Sequence, residues 1–176
     1  MKKIILFLAV AVAFTSCKPA PKQYVNGDQV VCDSLVQGRD GSGLVDETPF
    51  VAGVIQGEVR NYYNGGKSLM SKAMYVNGTA VGTVITYYES GTVWTENTWV
   101  NNMRNGVHKE YWDTTGTLKI EANYVNDLMV GAVKQYFPNG KLGGTAKYRQ
   151  GEQVGPAHCS DGRTTREVYE CIGEED

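Results

Sequence analysis

The chain has 176 residues, with 17 basic and 19 acidic side chains and a formal net charge of −2. Charge so nearly balanced excludes a nucleic-acid-coating surface, which needs clustered Lys and Arg to displace counterions. Glycine, at 21 residues, stands well above its average of roughly 7%; the excess falls at regular turn positions, so it reads as turn chemistry rather than disorder.

In chain order, the first segment reads as an address. Lys2 and Lys3 precede an apolar run from Ile4 to Phe14, too short for a bilayer-spanning helix, which takes roughly 20 residues. Thr15-Ser16-Cys17 then resembles the lipobox of bacterial lipoproteins, with Phe14 where Leu is commoner. That resemblance implies a signal peptide over residues 1–16 and cleavage before Cys17, which would carry lipid on its sulfur and new amino terminus. An ordinary secretory signal is the other reading. Several acyl chains, at about 0.8 kcal/mol per buried methylene, would make a stable anchor. Lys18 rather than Asp follows the cysteine, which by the same resemblance implies the outer membrane, facing the periplasm. Cleavage leaves 15 basic and 19 acidic side chains, a net charge of −4. Residues 17–26 are expected to be a tether.

Residues 27–56 read as a degenerate repeat that caps the array. Leu44 to Gly57 has the spacing of Leu69 to Gly82, and Phe50-Val51 aligns with Tyr75-Val76. Its partner strand is expected at about Gln29 to Val36. Residues 57–155 then repeat one phrase four times. Gly57, Gly82, Gly106, Gly131 and Gly155 are separated by 25, 24, 25 and 24 residues. The first four open strand-length runs that end in aromatic pairs: GEVRNYY, GTVITYY, GVHKEYW and GAVKQYF. After a polar turn each unit resumes with Leu69, Val93, Leu118 or Leu142 and closes on Tyr75, Trp99, Tyr124 or Tyr148. A second turn, such as VNGTAVG or VNNMRNG, leads to the next glycine.

Self-similarity at this period marks an architecture whose units bury surface against their neighbours. Strand alternation puts Val59, Val84, His108 and Val133 on one face, together with Tyr63, Tyr88, Trp112 and Phe137. The other face carries a column of tyrosines, Tyr62, Tyr87, Tyr111 and Tyr136. Small residues at the third slot of the returning strand, Ala73, Asn97, Ala122 and Ala146, imply rings lying across neighbouring backbones. The expected fold is all-β: an elongated antiparallel meander of repeated hairpins. Ten to twelve strands at ~4.8 Å give a ribbon on the order of 50 Å long.

Residues 156–176 read as a C-terminal cap and acidic tail, with TTREVYEC as a last strand. Cys32, Cys159 and Cys171 remain beyond Cys17, and an exported chain favours a disulfide. Cys159 with Cys171 would clip the non-repetitive segment; a bridge from Cys32 to either would tie the two ends together. His158 beside these cysteines supplies too few ligands for zinc. His108 reads as a packing residue on a strand. With no nucleophile elbow, phosphate loop or acid–base constellation, the chain is expected to be no enzyme and to need no cofactor or metal.

The phrase G-x(4)-Y-[YWF]-x-x-G, with its stems Tyr75-Val76-Asn77, Trp99-Val100-Asn101 and Tyr124-Val125-Asn126, resembles the MORN-repeat variant family. That family includes YwqK-type proteins often described as antitoxins. The resemblance covers roughly residues 44–155 and implies a MORN-like single-sheet solenoid that serves as a generic interaction surface. The family's second-strand glutamate is present as Glu96 and Glu121, with Lys72 and Thr145 in its place elsewhere. The implied function is a lipid-anchored envelope scaffold for a protein partner, with the tyrosine column as candidate binding surface. Binding of peptidoglycan or another envelope glycan is an alternative, and an antitoxin or immunity role is another.

Overall fold

The structure, a computed structural model, describes residues 23–26, 29–32, 34–40 and 43–172. The signal peptide, Cys17 and the acidic end Glu174-Glu175-Asp176 lie outside the described residues. Strands β1 (Gln23–Asn26) and β2 (Gln29–Cys32) form a two-stranded sheet of their own. The tether expected over 17–26 is therefore strand from Gln23 on.

Fourteen strands among the described residues form one antiparallel sheet. It begins with β3 (Ser34–Asp40), β4 (Gly43–Val51), the two-residue β5 (Val54–Ile55) and β6 (Gly57–Tyr63). The repeats continue through β7 (Ser68–Val76), β8 (Thr79–Tyr87), β9 (Val93–Val100) and β10 (Met103–Tyr111). They end with β11 (Leu118–Val125), β12 (Leu128–Tyr136) and β13 (Leu142–Arg149). Along β3, β4 and β6 through β13 each strand pairs with the next, a meander. The partner of β4 is β3, paired from Ser34↔Phe50 to Asp40↔Gly43, not the expected Gln29–Val36. Strands β3 and β4 pair with each other as antiparallel neighbours, while β2 is spent on β1.

Local chemistry explains the turns. Asn77-Gly78, Asn101-Asn102 and Asn126-Asp127 all have left-handed φ at both positions, as do Ala52-Gly53 and Gln150-Gly151. Two-residue turns of this kind match the right-handed twist of flanking strands, and Asn and Gly tolerate the conformation best. Gly57, Gly82, Gly106 and Gly131 also have φ between 74° and 131°. Three of them accompany register shifts, between Lys72/Met74 against β8, Arg104/His108 and Glu121/Asn123. Such bulges bend the strand and increase its twist. Each of these glycines faces the closing aromatic of its unit: Gly57↔Tyr75, Gly82↔Trp99, Gly106↔Tyr124 and Gly131↔Tyr148. Gly155 shares the left-handed φ but lies outside the strands.

Adjacent units are bonded at both margins of the sheet. On one margin the second aromatic of each pair donates to the next unit's backbone. Tyr63 Oη reaches the Tyr87 carbonyl at 2.8 Å, Tyr88 Oη the Tyr111 carbonyl at 2.9 Å, and Trp112 Nε1 the Tyr136 carbonyl at 3.0 Å. On the other margin the turns join the preceding unit: Gly78 N to Ile55 O, Asn102 N to Ala80 O, Asp127 N to Arg104 O and Gly151 N to Met129 O. Asn102 Oδ1 and Asp127 Oδ1 in turn accept the N–H groups of Ala80 and Arg104 at 2.7 and 2.9 Å. Each such bond nets about 1 kcal/mol, so a thin sheet gains cohesion from unit-to-unit bonds where it lacks a thick core.

One face is covered at its C-terminal end. There Ala122, Tyr124, Val133, Ala146, Ala157 and Val168 form the buried core. The covering segment comprises β14 (Glu152–Gln153), β15 (Ala157–Cys159), β16 (Thr164–Thr165) and a 3-10 turn, Val168–Cys171. TTREVYEC is thus a strand for two residues and then a 3-10 turn. The disulfide between Cys159 and Cys171, with Cα atoms 5.2 Å apart, draws the chain back over the sheet and ends the strand. Its seat is Gly143-Gly144. A Cβ on Gly143 would overlap Ile172 Cγ2, and one on Gly144 would lie 2.6 Å from Cys171 Sγ. Sister units carry Met70-Ser71, Trp94-Thr95 and Lys119-Ile120 at these positions.

Candidate functional site

Paired residues in neighbouring strands share a face, so the register assigns the two faces. The covered face holds Tyr63, Tyr88, Trp112 and Phe137, and at its N-terminal end a polar track. In that track Asn61 Nδ2 donates to Ser71 Oγ at 2.8 Å and the Thr86 and Thr95 hydroxyls lie 2.7 Å apart. His108 belongs here: its Nδ1 is 2.7 Å from Asn97 Oδ1, and its ring meets Tyr124 edge-on. Burial, with the Arg104 guanidinium nearby, lowers its pKa despite Glu110. It is a hydrogen-bonded packing residue. His158 projects on the opposite face from the disulfide, since Thr145↔His158 and Gly144↔Cys159 are successive pairs.

The open face carries the tyrosine column. Tyr62, Tyr87, Tyr111 and Tyr136 pair with Leu69, Val93, Leu118 and Leu142 on the adjoining strands. The result is one apolar stripe alternating aromatic and aliphatic side chains across eight strands. The four rings are half-buried and Leu142 is exposed. Residues next to the stripe form a largely charged row in register, Glu47↔Arg60↔Lys72↔Ile85↔Glu96↔Lys109↔Glu121↔Lys134, interrupted by Ile85 and by the like-charged pair Arg60↔Lys72. Opposite charges directly across strands contribute roughly 0.2–1 kcal/mol each. Lys134 Nζ sits 2.9 Å from Glu121 Oε1.

Two tyrosine hydroxyls are engaged with this row. Tyr62 Oη donates to Glu47 Oε2 at 2.6 Å and Tyr111 Oη to Glu96 Oε2 at 3.1 Å. Burial and then the Glu96 carboxylate push the Tyr111 phenol up to about 12; burial and Glu47 raise that of Tyr62. At Tyr87 the corresponding slot holds Lys72, whose ammonium stands 6.0 Å from the ring centroid. The slot lies fifteen residues before each tyrosine and is filled by Glu47, Lys72, Glu96 and Glu121, but the sequence pattern did not show what the carboxylate holds. Past the charge row the open face stays accessible: Met74 and Val107 are 44% and 43% exposed.

Residues 80–101, 104–126 and 129–149 match the MORN repeat variant family. These ranges coincide with three successive hairpins, β8–β9, β10–β11 and β12–β13, so residues 80–149 are built of MORN repeats of the variant type. The hairpin of β6 and β7 lies before the matched ranges and has the same build. No curated protein matches the chain.

Proposed function

We propose that the protein is a non-enzymatic scaffold, anchored through lipid on Cys17 to the outer membrane of a bacterial envelope, that presents the open face of its repeats to another protein. The observation that carries this reading is the unbroken tyrosine–aliphatic stripe on the face opposite the core. On the covered face Tyr63, Tyr88 and Trp112 donate to the next unit's backbone; on the open face Tyr62 and Tyr111 bond Glu47 and Glu96, and all four rings keep partly accessible surface. Large, stiff aromatic side chains beside charge are the groups that dominate protein interfaces.

The test is photocrosslinking in living cells with the full chain. A crosslinking residue at Val107, on the open face, is expected to capture one defined protein; a residue at Tyr169, 56% exposed on the covering segment, is expected to capture none. Identical products from both positions, or none from Val107, would refute the scaffold. Retention of the purified chain on insoluble cell wall, with no protein crosslink, would transfer the stripe to a glycan ligand.

A further inference from the structure

We propose that the tyrosine stripe is a docking groove for a polyproline-II segment of the partner protein, with basic residues six positions apart. This rests on the scaffold reading above. The first argument is spacing. Tyrosines on alternate strands recur at about 9.6 Å, twice the strand separation. A polyproline-II helix turns once every three residues, about 9.3 Å, so across the three intervals from Tyr62 to Tyr136 the mismatch stays near 1 Å. An α-helix presenting a side chain every seven residues advances about 10.5 Å and would drift by nearly 3 Å over the same span. An extended strand repeats every two residues at about 6.8 Å and does not fit.

The second argument is chemistry. Aromatic ridges with aliphatic side chains between them are what proline-rich segments dock against, and such a ligand loses little entropy because its conformation is preformed. The third is charge. Hydroxyl bonds from Tyr62 and Tyr111 hold Glu47 and Glu96 beside the stripe, where Glu47 also lies 3.9 Å from the Arg60 guanidinium and Glu96 stands opposite Lys109. These sites are four strands apart, about 19 Å, which is about six polyproline-II residues. Between them Lys72 stands near Tyr87, so the ligand residue midway is acidic or neutral. A second copy of the chain is a poorer occupant. Eight stripe side chains, seven half-buried and Leu142 exposed, fall well short of the roughly 20–30 residues per side of a stable interface, whereas a rod needs only a track.

The experiment titrates the full chain with a synthetic peptide that has proline at every third position, two arginines about six residues apart and a glutamate midway. A scrambled peptide of the same composition is the control. The patterned peptide is expected to bind and the scrambled one not. Tyr87→Ala should weaken binding roughly tenfold, the loss typical of removing an interface anchor. Glu96→Lys should reverse the preference, favouring a peptide with glutamate in place of the second arginine, while its circular dichroism matches the parent. No binding, equal binding of the scrambled peptide, or indifference to Glu96→Lys overturns the groove. If Val107 still crosslinks a protein in cells, the scaffold stands and the polyproline ligand alone falls; if both fail, the scaffold falls too.

Discussion

Replacing Gly144 by alanine isolates how the covering segment is held. The φ of Gly144 is not left-handed, so alanine fits the backbone and by chain entropy alone should stabilise by roughly 0.4–1 kcal/mol. The obstacle is space. The new Cβ would lie 2.6 Å from Cys171 Sγ, 2.9 Å from Cys171 Cβ and 3.2 Å from the His158 carbonyl oxygen. The disulfide holds those atoms in place, so the segment must lift, which partly uncovers Val168 and the Ala122–Val133–Ala146 core. Overpacking of this kind costs about 1–3 kcal/mol, enough to lower the melting temperature by roughly 2–4 °C for each kcal/mol.

The assay is urea unfolding of Gly144→Ala in two backgrounds, with the disulfide and with Cys159→Ala/Cys171→Ala. Removing the bridge, whose cysteines are 12 residues apart, should itself cost about 3 kcal/mol. In that background the segment can shift, and the alanine penalty should shrink to near zero or change sign. An equal penalty in both backgrounds, or no penalty with the bridge intact, would refute the claim that Gly143-Gly144 is a seat for the disulfide.

Other consequences can be checked singly. Tyr88→Phe deletes the bond to the Tyr111 carbonyl and should lose about 1 kcal/mol in chemical denaturation; no change would mean that the hydroxyl does not join units. Gln150→Asn places a residue tolerant of left-handed φ where Gln150 has φ 51° and should gain a few tenths to about 1 kcal/mol; a loss would show that the side chain has another role. Tyr111, with its phenol at about 12 against about 10 unfolded, contributes stability that is complete below pH 10 and is lost as pH rises toward 12. Glu96→Gln should lower its titration midpoint in ultraviolet absorbance but leave it above the free-tyrosine value, because burial is the larger cause. In cells a palmitate analogue should label the chain and labelling should vanish in Cys17→Ala; persistent label would end the lipoprotein reading.

The meander was legible because the sequence writes it four times. Glycine, aromatic pair, turn and closing aromatic recur in register, and strand parity alone separates Tyr62 from Tyr63 and their counterparts. The closing aromatics, which the sequence shows only as a recurring last position, each stand opposite a glycine in the pairing register. Legibility failed where repetition stops. Nothing local marks Gln23–Asn26 as a strand, since it pairs with β2 away from the repeats. TTREVYEC alternates well enough to be a strand, but a covalent bond to Cys159 and the bare surface at Gly143-Gly144 offer it a better position over the sheet. That preference is tertiary, and it appears in the sequence as the Cys159–Cys171 pair and as two glycines out of keeping with their sister units.

The aromatic pairs show why a repeat can specify its fold while concealing its binding surface. Two adjacent rings must point to opposite faces, and the motif does not say which of them works for cohesion. The hydrogen bonds show what each does: the first rings Tyr62 and Tyr111 bond the side chains of Glu47 and Glu96, and the second rings bond backbone. Tyr63, Tyr88 and Trp112 donate to the carbonyls of Tyr87, Tyr111 and Tyr136, so the second ring of one unit fixes the backbone that carries the first ring of the next. The open-face column is thereby held at the strand spacing by bonds made on the other face. Losing a stitching residue should therefore disturb binding as well as stability, whereas losing an open-face ring should disturb binding far more. Tyr88→Phe and Tyr87→Ala separate these effects in neighbouring residues. If Tyr87→Ala proved the more destabilising of the two and left partner capture intact, the assignment of the faces would have to be reversed.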